Sequence, residues 1–516
     1  METTPKTMDR TGRALRSTLV VSVLGYGAQA LSLVAIPLFL KTVGADGYGL
    51  MVTVMAFMGY LTFADAGLSW GSMILIAQAQ GRDDKTGIAH IIRHSAVLAA
   101  GSGAVVLVTL GLILAAAAAG WRLPMFAGHP EADRLLLIAG VQLALNLQFG
   151  IVYNLFQGLQ ESYWAGVYQG GGRLLGLIAA MTAAWFTRNI ALVLAAQLGL
   201  TMAAGVAASI HAWRRHPWAF RAGSWTDRAQ FTAQLRIGGK NLLLLVGRTM
   251  GGTAPTLAIS SLLGAAMVPF YTVPTTLLTI FLTPINSWSA NMQSAYGEAA
   301  EAGALDWVKR AFRLSLERAL ILQGLGVALF LALGDSFVRL WTHDRLSVSP
   351  VMAVSVAAIG LTGSTLAAGQ SLLTGLNRHR RAALAEVANG VLALVGVSLA
   401  VRWLGAGAVG LGVVGAAVAT SAWVLRGEIA GLIGAGFLPH GLLVAKAVLA
   451  TLLAAGAAGW LQREIAAGPP LVHLGLAGGA GVAVFALVAV LLGLVDAGQV
   501  FARVAQLSRR CFAASP

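Results

Sequence analysis

Fourteen runs of mostly apolar residues, each about 20 long and separated by short charged connections, constrain this chain more than any other feature. A helix rising 1.5 Å per residue needs about that length to cross roughly 30 Å of hydrocarbon. The runs lie near residues 17–40, 48–70, 94–119, 134–156, 163–186, 190–212, 241–264, 268–291, 315–334, 350–372, 383–402, 408–430, 442–461 and 471–495. With 57% hydrophobic and 11% charged residues and a mean hydropathy of +0.76, a chain of 516 residues cannot coat a soluble globule with polar side chains. Strands of a membrane barrel would alternate over about 10 residues, a pattern this chain does not show. The expectation is an all-α membrane protein of about 14 transmembrane helices.

Lysine and arginine orient the runs. Of the 35 basic residues, 25 fall in the N-terminal segment, in alternate connections and in the tail, 8 fall in the intervening connections, and Arg173 and Arg248 fall inside runs. The positive-inside rule then places both termini in the cytoplasm. It also accounts for the net charge of +15 without a nucleic-acid partner. Trp121, Trp164, Trp185, Trp213, Trp341, Trp403 and Trp460 mark the ends of runs, where amphipathic rings favour the headgroup level. The single cysteine, Cys511, excludes an internal disulfide or a cysteine-rich metal site. The first run is too long for a signal-peptide core and no small-residue cleavage pattern follows it, so it reads as a retained span.

Two short phrases recur at half the chain length. VGADGYG (43–49) and LGAAMVPFY (263–271) each join two runs on the outer side, and LFQGLQE (155–161) and LLTGLNR (372–378) each close a run on the cytoplasmic side. Gly44 and Gly264 are 220 residues apart, Gly158 and Gly375 are 217 apart. A duplicated six-helix unit follows, with bundles at 1–240 and 241–432 and two further helices and a tail at 433–516. Six is even, so the copies lie parallel, as in many transporters, with a central cavity expected between them.

VGADGYGL running into FADAGLS (63–69), LFQGLQ, LLGAAMVPFYTV and GDSFVRLWTH (334–343) resemble the polysaccharide flippases. These are the O-antigen and exopolysaccharide group of the multidrug/oligosaccharidyl-lipid/polysaccharide exporter superfamily. The resemblance covers roughly residues 10–440. It implies two bundles around a cavity, and transfer of an undecaprenyl-pyrophosphate-linked oligosaccharide between leaflets of the bacterial inner membrane by alternating access. The partners it implies are the lipid-linked oligosaccharide, membrane lipids and a polysaccharide polymerase or chain-length machinery. No cofactor is implied, and a coupling ion, H⁺ or Na⁺, stays open.

Ionisable groups inside a span are costly and become site candidates. Arg173 lies about ten residues into the fifth run, roughly 15 Å deep, and is expected to face a cavity or a buried partner. Arg248 lies about seven residues into the seventh, within reach of the headgroups. A planar guanidinium donates paired hydrogen bonds to phosphate oxygens, which suits a pyrophosphate. Asp65 matches the family's acidic-glycine turn and is expected to cap a helix break or pair with an arginine. Gln29, Asn146, Asn286 and Asn291 offer amides to a glycan or to neighbouring helices. Pro255, Pro269, Pro274 and Pro284 are hinge candidates, since proline frees a backbone carbonyl.

Weaker signals carry less. His90 and His94 are spaced i, i+4 without HExxH, IGGKN (237–241) lacks the Walker pattern, and GAGAVGLGVVG (405–415) reads as close helix packing. Residues 298–312 read as an amphipathic surface helix. A lipid II flippase is disfavoured by the lack of clustered arginines in the first two runs, and a multidrug exporter by the lack of a carboxylate in the first. A membrane polysaccharide polymerase or glycosyltransferase would need a larger external loop or an acidic metal pair, so the chain reads as a transporter and not an enzyme.

Overall fold

The computed structural model describes residues 5–65, 68–221, 228–376, 378, 380–433, 437–465 and 469–494. The tail from 495, with Cys511, lies outside the described residues. Among the described residues every regular element is a helix. In order they are α1 (Pro5–Thr42), α2 (Gly44–Leu61), α3 (Leu68–Gly81), α4 (Lys85–Ala118), α5 (Ala132–Gly158), α6 (Ser162–Thr187), α7 (Ile190–Arg215) and α8 (Arg228–Leu263). Then come α9 (Val268–Glu301), α10 (Leu305–Thr342), α11 (Pro350–Gly375), α12 (Arg380–Leu404), α13 (Val409–Ala417), α14 (Trp423–Ile433), α15 (Phe437–Glu464) and α16 (Pro470–Leu491).

Thirteen spans among the described residues are long and apolar enough to cross a membrane. The expected fifth span is the one that falls short: α6 has 26 residues, but its Gln169–Arg173 stretch dilutes the apolar content. With α6 the expected fourteen are all helical. The second span breaks where FADAGLS occurs: α2 ends at Leu61, a 3-10 turn covers Thr62–Asp65, and α3 starts at Leu68. The twelfth contains a π turn, Val418–Ala422, between α13 and α14. One expectation is corrected. Residues 298–312 are not a single surface helix, because α9 ends at Glu301, the chain turns at Gly303 with φ +72°, and α10 begins at Leu305.

Polar side chains set several helix starts by satisfying N–H groups that have no partner within the helix. Asp84 Oδ1 accepts from Gly87 N at 2.7 Å, Asn189 Oδ1 accepts from Ala191 N and Leu192 N, and Ser349 Oγ accepts from Met352 N just before Pro350.

The chain forms two compact units. Unit 1 holds residues 1–269 with 386–402, and unit 2 holds 270–385 with 403–516. In unit 1 the core is drawn from α3, α4, α5 and α7, with Ile76, Ile88, Leu155, Phe156 and Ala208 fully buried. In unit 2 it is drawn from α9, α10, α11, α15 and α16, around Tyr296, Phe312, Leu320, Leu372 and Phe485. On α15 the contact stripe is Ala447, Ala450, Ala454 and Ala458, all fully buried. Small residues suit this setting, because helices in lipid gain little from hiding apolar area and associate by close van der Waals packing.

The sequence echoes have matching local structures. Gly44 and Gly264 adopt φ +79° and +92°, the left-handed region where a Cβ would be strained, and each turns the chain into the next helix. Gly158 and Gly375 mark close approaches instead: a Cβ there would meet Ile76 Cγ2 at 2.4 Å and the Gln293 carbonyl at 2.3 Å. An ion pair adds a further correspondence. In unit 1 Glu161, between α5 and α6, meets Arg215 at the end of α7 at 3.1 Å. In unit 2 Arg381, at the start of α12, meets Glu428 on α14 at 3.0 Å. The positions correspond and the charges are exchanged.

Candidate substrate-handling site

Arg173 is placed by the glycines around it. A Cβ on Gly170 would come within 2.7 Å of Leu24 on α1, and Cβ atoms on Gly172 and Gly176 within 2.7 Å of Ala204 and 2.5 Å of the Gln197 carbonyl on α7. These bare positions let α6 press against both neighbours. Arg173 projects between the two contact lines and is exposed there. At about 100° per residue it stands on the side of α6 opposite Leu175 and Ile178, which are 57% and 49% exposed and form the helix's apolar outer face. A guanidinium at that depth, on the side of α6 away from its apolar face, calls for polar surroundings within the bundle. Its charge acts on Tyr153 of α5. Asn146, also exposed, lies on the same face of α5 two turns from Tyr153. Arg173 and Asn146 thus look onto one side of the unit 1 bundle.

The other sequence candidates are more scattered. Gln29 is half-buried on α1, close to the point where Gly27 meets Leu174 of α6. Asp65 ends the 3-10 turn that interrupts the second span, and is half-buried. Arg248 is exposed on α8, next to Gly247, whose missing Cβ lets α8 touch the backbone of Glu386 on α12. Asn286 is exposed on α9 in unit 2, and the side chain of Asn291 lies outside the described residues. Pro255 sits inside α8 and Pro274 and Pro284 inside α9. Pro269 is the second residue of α9, where its missing N–H removes no helical hydrogen bond. Pro37, inside α1, joins these helix-interior prolines.

The structure adds residues that sequence reasoning passed over. Glu386 is 4% exposed, a carboxyl buried at the crossing of α8 and α12. It lies three residues inside the expected span 383–402 and was not among the ionisable candidates. His211 on α7 sits among Trp164, Tyr168 and Phe156, with the Tyr168 hydroxyl 3.1 Å from its Nδ1. In unit 2 Ser315 Oγ accepts from Trp288 Nε1 at 3.0 Å and from the Tyr296 hydroxyl at 3.1 Å, while Arg318 stacks 4.8 Å from the Trp288 ring. Gln323 on α10 is fully buried and neither of its amide atoms has a hydrogen-bond partner.

Solved structures share this arrangement of helices. The lipid II flippase MurJ in an inward closed conformation aligns with a TM-score of 0.69 at 11% identity, over 92% of this chain and 98% of its own. An inward-facing multidrug resistance transporter of the MATE family gives 0.62 at 16% identity, over 81% and 98%. A transporter from Pyrococcus furiosus gives 0.55 at 15% identity, over 82% and 96%. At these identities the likeness is one of fold, shared with MurJ and the MATE family. No curated protein sequence matches the chain. The profile of the polysaccharide biosynthesis protein family matches residues 14–291, and the chain belongs to that flippase-type family.

Proposed function

We propose that the protein carries an undecaprenyl-pyrophosphate-linked oligosaccharide from the cytoplasmic to the periplasmic leaflet of a bacterial inner membrane, with both termini cytoplasmic. The observation that carries this reading is Arg173, an exposed guanidinium on the inward face of a spanning helix in a polysaccharide biosynthesis family member. There the guanidinium binds pyrophosphate through paired hydrogen bonds, which low dielectric strengthens. Asn146, Gln29 and Asn286 supply hydrogen bonds to sugar, and the isoprenoid stays in lipid. The bundles at 1–240 and 241–432 alternate between inward-open and outward-open states, with Pro255, Pro274 and Pro284 as bending points, and the two helices of 433–516 pack into the core of the second half. A potential negative inside favours outward movement of a pyrophosphate carrying roughly two charges by about 4 to 5 kcal/mol at 100 mV. H⁺ or Na⁺ coupling adds to that drive or replaces it.

The test is complementation of a flippase-null strain. The wild-type chain is expected to restore polysaccharide, Arg173→Ala to lower export at least tenfold at matched abundance, and Arg173→Lys to recover part of it. Normal export from both variants removes Arg173 from the site, and unpolymerised units accumulating outside the membrane would favour a polymerase. The likeness to MurJ favours a second reading, a lipid II flippase, which rescue of a strain lacking that activity would select. A multidrug exporter would instead confer drug resistance.

A further inference from the structure

Three connections meet at one end of unit 1: the one joining α1 to α2, the one leading into α5, and the one joining α6 to α7. Together they line a pocket of about 600 Å³. The charge alternation assigns all three to the outer side of the membrane. Six lining residues bring polar chemistry: Asp46, His129, Glu131, Thr187, Arg188 and Asn189. None belongs to the hydrophobic core.

The geometry sorts them into donors and acceptors. Asp46, in the first turn of α2, is 58% exposed and its Oδ2 lies 3.6 Å from His129 Nδ1 at the pocket wall. Glu131 is exposed and precedes α5. Arg188 caps α6 with φ +51°, an unusual conformation for a side-chain-bearing residue. Asn189 commits its Oδ1 to the first N–H groups of α7, so what it offers the pocket is its amide donor. Pro130 and Ile190 give the pocket an apolar wall.

Paired acceptors and donors beside an apolar wall are what a sugar ring requires, since each hydroxyl both donates and accepts while the ring C–H face packs on carbon. A phosphate is a poor fit, because two carboxylates face one guanidinium and repel an anion. Nor are the acids gathered for a metal: among the described residues no group of three His, Cys, Asp or Glu is placed to hold one.

We propose that this pocket binds a neutral sugar residue of the glycan on the face where it leaves the protein, Asp46 and Glu131 accepting from hydroxyls and Arg188 and Asn189 donating to ring and hydroxyl oxygens. The inference rests on the flippase reading, whose cargo has a sugar end and a pyrophosphate end. Arg173 takes the second and this pocket the first.

The experiment is saturation-transfer-difference NMR on the full-length protein in nanodiscs, with millimolar methyl glycosides of glucose, galactose, mannose and N-acetylglucosamine. At least one is expected to show transfer, with affinity at least fivefold weaker in the Asp46→Asn/Glu131→Gln protein and unaffected by equimolar inorganic pyrophosphate. Gel filtration verifies folding, and Glu131→Gln alone serves if the double variant aggregates. Absence of transfer from all four glycosides, transfer that survives the substitutions, or displacement by pyrophosphate overturns the proposal. Export separates the two readings. Wild-type rescue with undiminished rescue by the pocket variants sinks the pocket and leaves the flippase. Failure of the wild-type chain to rescue sinks the flippase, and the NMR alone then decides whether the pocket binds sugar.

Discussion

Glu161 carries its charge in a two-helix junction where burial works against it. Hydrogen bonds and positive charge from His216, at 3.2 Å, and Arg215 outweigh that penalty and hold its carboxyl down at about 2. A carboxyl depressed on folding contributes stability above its unfolded value, near 4.3, and loses it as pH falls towards 2. Glu161→Gln is therefore expected to lower stability by about 1–3 kcal/mol at neutral pH, and thermal unfolding of the two proteins should converge as pH falls from the unfolded value towards about 2. Gln323 predicts the opposite sign. A buried amide without partners costs about 1–3 kcal/mol, so Gln323→Met should raise the melting temperature. At this scale the sequence exposed Arg173, because a charge ten residues into an apolar run has no nearby water. It hid Glu386 and Gln323, because their burial depends on which neighbouring helix covers them.

Helices were the most legible level, since length and apolar content alone decide whether a segment crosses hydrocarbon. Their interruptions were less so: Asp65 pointed to the break after α2, whereas no proline or charge marks the π turn between α13 and α14. The turn at Gly303 was missed because alternating charge along 298–312 imitates a helix face. Gly49 tests how tightly elements meet: a Cβ there would lie 1.9 Å from the Ala265 carbonyl oxygen, where α2 passes the turn before α9. Gly49→Ala should destabilise the protein by about 1–3 kcal/mol. Gly47→Ala, whose added carbon meets only ordinary contacts at 3.4 Å or more, should keep or slightly raise the melting temperature, since alanine is the better helix former.

For the molecule as a whole, the membrane orientation follows from where arginine and lysine collect, and Cys511 makes it measurable. In intact cells a membrane-impermeant maleimide should leave this single cysteine unlabelled, and in inverted vesicles it should label it. In a Cys511→Ser background, Ala127→Cys, in the connection before α5, should show the reverse. Labelling of both sites from one face would break the topology. The exchanged ion pairs have a consequence for biogenesis. If helices of one half docked on the other half while the chain was still entering the bilayer, Glu161 would confront Glu428 and Arg215 would confront Arg381. Opposite polarity in the two ion pairs thus penalises the wrong pairing and favours each half closing on its own helices.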